Sequence, residues 1–125
     1  MKAYTDIKQS KKLAEILKWK TADMTWVNIY DENHMLSDHR IELIPFRFYQ
    51  GIGLPAWSLA ALLSVIPKHI KDYNVLRIDI SDNDFAIWYD EIGYGVNNDL
   101  PNITMESAVD ACYEMIIKLY ELNLL

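Results

Sequence analysis

The clearest pattern of apolar and polar positions lies between residues 76 and 90. Leu76, Ile78 and Ile80 alternate with Arg77, Asp79 and Ser81, and Phe85, Ile87 and Tyr89 alternate with Ala86, Trp88 and Asp90. A period of two predicts two strands. A two-residue turn at Asp82-Asn83 sets Ile80 against Phe85, Ile78 against Ile87 and Leu76 against Tyr89, so the apolar sets meet on one face without a slip. Asp and Asn accept the left-handed backbone that such a turn requires. On the opposite face Trp88 falls across from Arg77, where a cation–π contact can form.

Helical periodicity brackets this hairpin. Ile7, Leu13, Ala14, Ile16 and Leu17 form a stripe that predicts a helix from about Asp6 to Lys18, with Thr5 or Asp6 as its cap and Gln9 three residues after Asp6 in capping-box spacing. Cys112, Met115, Ile116, Leu119 and Leu122 predict a last helix over residues 108 to 122, with Ser107 as N-cap and Asp110 three residues later. Between them, Leu54 to Ile66 is apolar except for Ser58 and Ser64, and Pro55 and Pro67 bracket it. Proline suits a first helical turn and cannot continue a helix, so this stretch reads as a central helix. It spans about 18 Å, short of a bilayer core of about 30 Å, so it must be buried in protein. The expected cover is the Leu76/Ile78/Ile80 hairpin face and the last helix, with Trp57 in the core.

Met24 to Tyr30 has the β-branched and aromatic content of a strand, followed by a turn at residues 31 to 34. A partner strand is expected within Arg40 to Tyr49, where Pro45 restricts it to an edge or a broken strand. Residues 67 to 73 read as a turn and residues 91 to 104 as a polar loop. The resulting order, α-β-β-α-β-β-α, predicts an α+β fold with helices packed on an antiparallel sheet. With 125 residues and neither repeats nor linkers, a single domain over residues 1–125 is expected.

Charge adds a second pattern. Residues 1 to 77 net +3, whereas residues 78 to 125 net −9, and from Ile78 to Ile117 there are nine acids and no Lys or Arg. An acidic face repels nucleic acid and attracts basic partners. Its candidate residues are Asp79, Asp82, Asp84, Asp90 and Glu91 of the hairpin, with Trp88 among them, and the ridge Glu106, Asp110 and Glu114. They form one patch if the hairpin's outer face and the ridge lie side by side. The competing reading is a solvated face that aids solubility.

Motifs of chemistry are sparse. Gly51-Ile-Gly53-Leu-Pro-Ala56 imitates a dinucleotide fingerprint, but the parallel β-α-β context is absent, and glycines turning the chain into Pro55 explain it better. Asp79, Asp82 and Asp84 lack calcium-loop spacing and suit a turn. His34, His39 and His69 share no ligand spacing, so no metal is expected. Cys112 sits on an apolar stripe and reads as a buried, inert thiol. No nucleophile elbow is present. The sequence therefore points to no catalytic residue and no cofactor. The single cysteine fits a reducing cytoplasm, and neither a signal peptide nor a membrane span is expected.

Thr21-Ala-Asp-Met24, Leu54-Pro-Ala-Trp-Ser-Leu-Ala-Ala-Leu-Leu63 with Ile66-Pro-Lys68, Trp88-Tyr-Asp-Glu91, Ser107-Ala-Val-Asp-Ala-Cys112 and Leu119-Tyr-Glu-Leu122 together resemble a family of small proteins of gut anaerobes and their phages and mobile elements. The family has no assigned activity, so the resemblance implies a fold and a genomic setting and no site. Members often carry proline where this chain has Ala108, which fits a first helical turn after Ser107.

Three functional expectations follow. The leading one is a non-enzymatic cytoplasmic interaction module, an accessory protein of a phage or mobile element, whose acidic face takes a basic protein partner, with mimicry of nucleic-acid charge as one version. The second is a small-molecule binding domain or enzyme with its site between loops 51–55 and 93–99. The third is a homodimer whose purpose is assembly.

Overall fold

The computed structural model describes residues 2–30, 32–33, 35–42 and 53–125. The fold is α+β, with three α-helices and antiparallel sheets among the described residues. The chain divides into two compact units, Ala3–Ala61 and, with Lys2, Leu62–Leu125.

In the first unit, α1 (Ile7–Ile16) starts where its capping box predicts. Gln9 donates its amide to Asp6 Oδ1 at 2.8 Å, and the Gln9 side chain accepts from the Asp6 amide at 3.1 Å. A three-stranded antiparallel sheet follows, in the order β2-β1-β3, from β1 (Met24–Tyr30), β2 (Leu36–Glu42) and β3 (Gly53–Ala56). β1 matches expectation. β2 begins four residues before the window predicted for it, and Pro45 lies outside the described residues.

The stretch between the prolines departs most from the sequence reading. Gly53–Ala56 is a strand paired with β1, with Pro55 opposite Thr25, and the helix α2 covers only Leu59–Val65. Pro55 is tolerated because β3 is an edge strand, where a missing N–H breaks no ladder. Gly53 is required by close approach: a Cβ there would lie 2.5 Å from the Trp26 carbonyl oxygen. Trp57 turns the chain between strand and helix. Its side chain is fully buried, its amide donates to Thr5 Oγ1 at 3.1 Å, and its Nε1 donates to Thr21 Oγ1 at 2.9 Å. The Thr5 amide returns a bond to the Trp57 carbonyl at 2.9 Å. Asp23 accepts from the Ser58 amide and hydroxyl, and Ser58 Oγ accepts from the Ala61 amide, capping α2. Trp57 is thus a core residue tied by hydrogen bonds.

The second unit is built on β6 (Phe85–Glu91). On one side β6 pairs with β5 (Asn74–Ile80), which pairs at its start with the short β4 (His69–Ile70). On its other side β6 pairs with β7 (Gly95–Val96) and β8 (Ile103–Met105). Residues 67 to 73 and 91 to 104 therefore supply three short strands that the sequence reading left as turn and loop. The hairpin register is as predicted: Ile80 faces Phe85, Ile78 faces Ile87, Leu76 faces Tyr89 and Arg77 faces Trp88. Its turn differs from expectation, because neither Asp82 nor Asn83 has positive φ. Instead Ser81 closes it, its amide donating to the Asp84 carbonyl at 2.9 Å and its Oγ accepting from the Asp84 amide at 3.2 Å. Left-handed backbone occurs at Lys71 and Asp72, between β4 and β5.

α3 (Ala108–Glu121) is capped by Ser107, whose hydroxyl accepts from the Asp110 amide at 3.1 Å. It packs on β6 and β8. Val109, Cys112, Met115, Ile116 and Leu119 are buried there, as are Phe85, Ile87, Tyr89 and Ile103 on the sheet. A helix is about 10 Å across and strands lie about 4.8 Å apart, so α3 covers about two strands. The far half of β5 lies beyond its reach. Ile78 and Ile80 are consequently 40% and 75% exposed, although they share a face with the buried Ile87 and Phe85. Ile78 and Ile80 therefore depart from the core role expected of them: on that face Phe85, Ile87 and Tyr89 of β6 and Asn74 at the start of β5 are buried, and Leu76 is half-buried.

Candidate protein-interaction surface

The nine predicted surface residues all belong to the second unit, and the sheet separates them. Asp79, Trp88 and Asp90 alternate with the buried positions and so occupy the face of the hairpin turned away from α3, while Asp82 and Asp84 flank its turn. Glu106, Asp110 and Glu114 belong to α3 or its approach, on the other side of the sheet. The condition for a single patch, a hairpin face side by side with the helical ridge, is not met.

Several of the acids are engaged locally. Asp90 Oδ2 accepts from Arg77 Nε at 3.2 Å and its Oδ1 from Trp88 Nε1 at 2.8 Å, so one carboxylate holds both members of the cross-strand pair Arg77–Trp88. Asp110 is bound by Lys2 Nζ at 2.7 Å. Glu91 and Glu114 are half-buried and Glu106 is exposed. Asp79, Asp82 and Asp84 remain as an exposed group at one end of the hairpin, around Ile80.

That end has a second property. Successive residues of an antiparallel strand direct their N–H and C=O to opposite neighbours. The Ser81 amide bonds to β6's side and the Tyr73 carbonyl accepts from Ile92, so the odd residues of β5 serve β6. The Leu76 amide donates outward to the Lys68 carbonyl at 2.9 Å, which assigns the even residues to the outer edge. β4 covers only residues 74 and 75, with Lys68 reaching residue 76. Among the described residues no strand pairs with β5 from Arg77 to Ile80 on that edge. Ile78 and Ile80 thus combine outward-facing backbone groups with exposed apolar side chains. Their alternation marks them as core in the sequence, and the structure exposes them because β4 is short and leaves this part of β5 uncovered.

The chain matches no protein-family model, no curated protein and no solved structure.

The remaining predicted sites are as follows. Gly51 and His34 lie outside the described residues. Gly53–Pro55 belong to β3 of the first unit, and residues 93–99 to the second, with positive φ at Gly93 and Gly95. Within the second unit a cleft of about 420 Å³ includes Tyr73, Asn74, Glu91, Asn97 and Asp99. Its amides satisfy one another: Asn97 Nδ2 donates to Asn74 Oδ1 at 2.9 Å, and Asn74 Nδ2 to the Ile70 carbonyl at 3.1 Å. The buried Asn74 thereby ties β4, β5 and the segment after β7 together, which is a structural duty. Cys112 is buried, and desolvation pushes its thiol from 9.0 up to about 12, against a smaller lowering by Lys68. Burial likewise raises Tyr89, whose hydroxyl donates to the Pro67 carbonyl at 2.6 Å. Among the described residues no three His, Cys, Asp or Glu side chains gather as a metal site, and no helix is long and apolar enough to cross a membrane.

Proposed function

We propose that this chain is a protein-interaction module that takes a basic partner at the free end of the β5–β6 hairpin. The observation that carries the reading is the combination there of three exposed acids, Asp79, Asp82 and Asp84, with an isoleucine left three-quarters exposed. An apolar residue ringed by charges of one sign is suited to contact: the isoleucine gives area on burial and the acids steer the approach of a cationic surface. An accessory protein of a phage or mobile element is the setting implied by the resemblance of the Leu54–Leu63 segment.

Panning a random peptide display library against the protein tests this. Enriched peptides should be basic, their binding should weaken as salt rises through about 0.15 M, where the screening length falls to about 8 Å, and it should be lost when Asp79, Asp82 and Asp84 are together changed to asparagine. Enrichment without basic residues, or binding untouched by the triple substitution, would refute the proposal.

A further inference from the structure

We infer that the partner contributes an extended segment that adds to β5 as a new edge strand, with apolar residues opposite Ile78 and Ile80 and a basic residue between them. This rests on the interaction reading above and specifies its geometry. The outward N–H and C=O groups of Ile78 and Ile80 supply main-chain bonds, which give strand addition its affinity, while alternate side chains give it specificity. On the α3 side of the sheet the added strand meets Ile78 and Ile80, 40% and 75% exposed, which favours apolar side chains at those two positions. On the other side it meets Asp79, and Ser81, Asp82 and Asp84 follow, which favours lysine or arginine. The recognised pattern is therefore apolar–basic–apolar in consecutive positions, with further positive charge toward the hairpin turn.

A second copy of the chain fits this edge poorly. An antiparallel self-pairing centred on Ile78 sets Arg77 against Asp79 favourably, but it places Ile80 of the other copy opposite Leu76, where the Lys68 carbonyl is already bonded to the Leu76 amide. Centring on Asp79 clears Lys68 and sets the two Asp79 carboxylates face to face. Centring on Ile80 sets Asp82 of each hairpin turn opposite Ile78 of the other copy, a charge against an apolar side chain. Like charges directly opposite destabilise a strand pair. Such charges are a common means by which edge strands avoid their own kind, and they leave the edge open to a basic strand.

The test uses the whole protein and capped seven-residue peptides that alternate valine with lysine. By titration calorimetry or fluorescence anisotropy, the alternating peptide should bind at least ten-fold tighter than a peptide of the same composition with valines and lysines in blocks. Ile80→Lys should reduce the binding at least ten-fold without changing the melting temperature by more than a few degrees. Two N-methylated peptides probe the backbone directly. Methylation of the valine amides blocks an antiparallel addition and methylation of the lysine amides a parallel one, so one of the two should lose binding and the other keep it. Equal loss from both, or loss from neither, overturns strand addition. If alternating and blocked peptides bind equally and both are lost with Asp79→Lys, strand addition fails while the interaction reading survives. If neither peptide binds, both fail.

Discussion

Ile80 and Ile87 share one face of one hairpin, and changing each to threonine in turn should have very different consequences. Ile87 is completely buried beneath α3. Burying an isoleucine side chain contributes about 1.5–3 kcal/mol, and a hydroxyl placed in that pocket without a partner costs about 1–3 kcal/mol more. Ile87→Thr should therefore cost roughly 3–5 kcal/mol. Ile80 retains three-quarters of its exposure, so it loses only about a quarter of the same transfer energy, about 0.5 kcal/mol. Threonine keeps the β-branch at both positions, so strand preference does not blur the comparison. Urea denaturation followed by circular dichroism reads both values. A cost at Ile80 close to that at Ile87 would mean that Ile80 is held in a core, and the contact surface assigned to it would not exist.

Other substitutions test the framework around the hairpin. Gly53→Ala should separate β3 from β1, because the new methyl meets the Trp26 backbone oxygen at 2.5 Å; urea midpoints should fall by the equivalent of about 2 kcal/mol or more, in the range of overpacked cores. Ser107→Ala removes the N-cap of α3 and should cost about 1 kcal/mol by the same measurement. Cys112 should resist an aromatic disulfide reagent at pH 8 in the folded protein and react fully once unfolded, since burial holds its thiol protonated up to about 12. The sign of its pH linkage follows. The unfolded thiol ionises from pH 9.0 and the folded one only near 12, so the unfolded state releases protons first and stability should decline across that interval. Stability that rises with pH through this window would contradict the burial of Cys112.

The elements most legible in the sequence are those whose signals are local. The capping box of Asp6 and Gln9, the Ser107 cap and the matched alternation of β5 and β6 each depend on residues a few positions apart, and each is realised. The central segment misleads because Pro55 has two physical uses, a first helical turn and an edge strand. The choice between them is made by long-range pairing of Leu54 and Ala56 with Trp26 and Met24. β4, β7 and β8 are two or three residues long, too short for any period to register. Alternation also cannot tell which strand a helix will cover. It assigns Ile78 and Ile87 to the same face correctly, but the placement of α3 over β6 and β8 buries one and exposes the other. Charge has the same blindness. The run of nine acids is plain in the sequence, yet strand alternation and the packing of α3 on one face distribute them to both sides of the sheet, leaving the hairpin end as the place where three remain exposed together.

Amide hydrogen exchange at Ile78 and Ile80 tests the central claim most directly. In the free protein both amides point away from β6 and should exchange rapidly, while those of Arg77 and Asp79, directed into the β5–β6 ladder, should be protected. Saturation with the alternating valine–lysine peptide should slow Ile78 and Ile80 at least ten-fold and leave the helix α3 amides unchanged. Slow exchange at Ile78 and Ile80 already in the free protein, or no slowing when the peptide is bound, would contradict an open edge that recognises its partner as a strand.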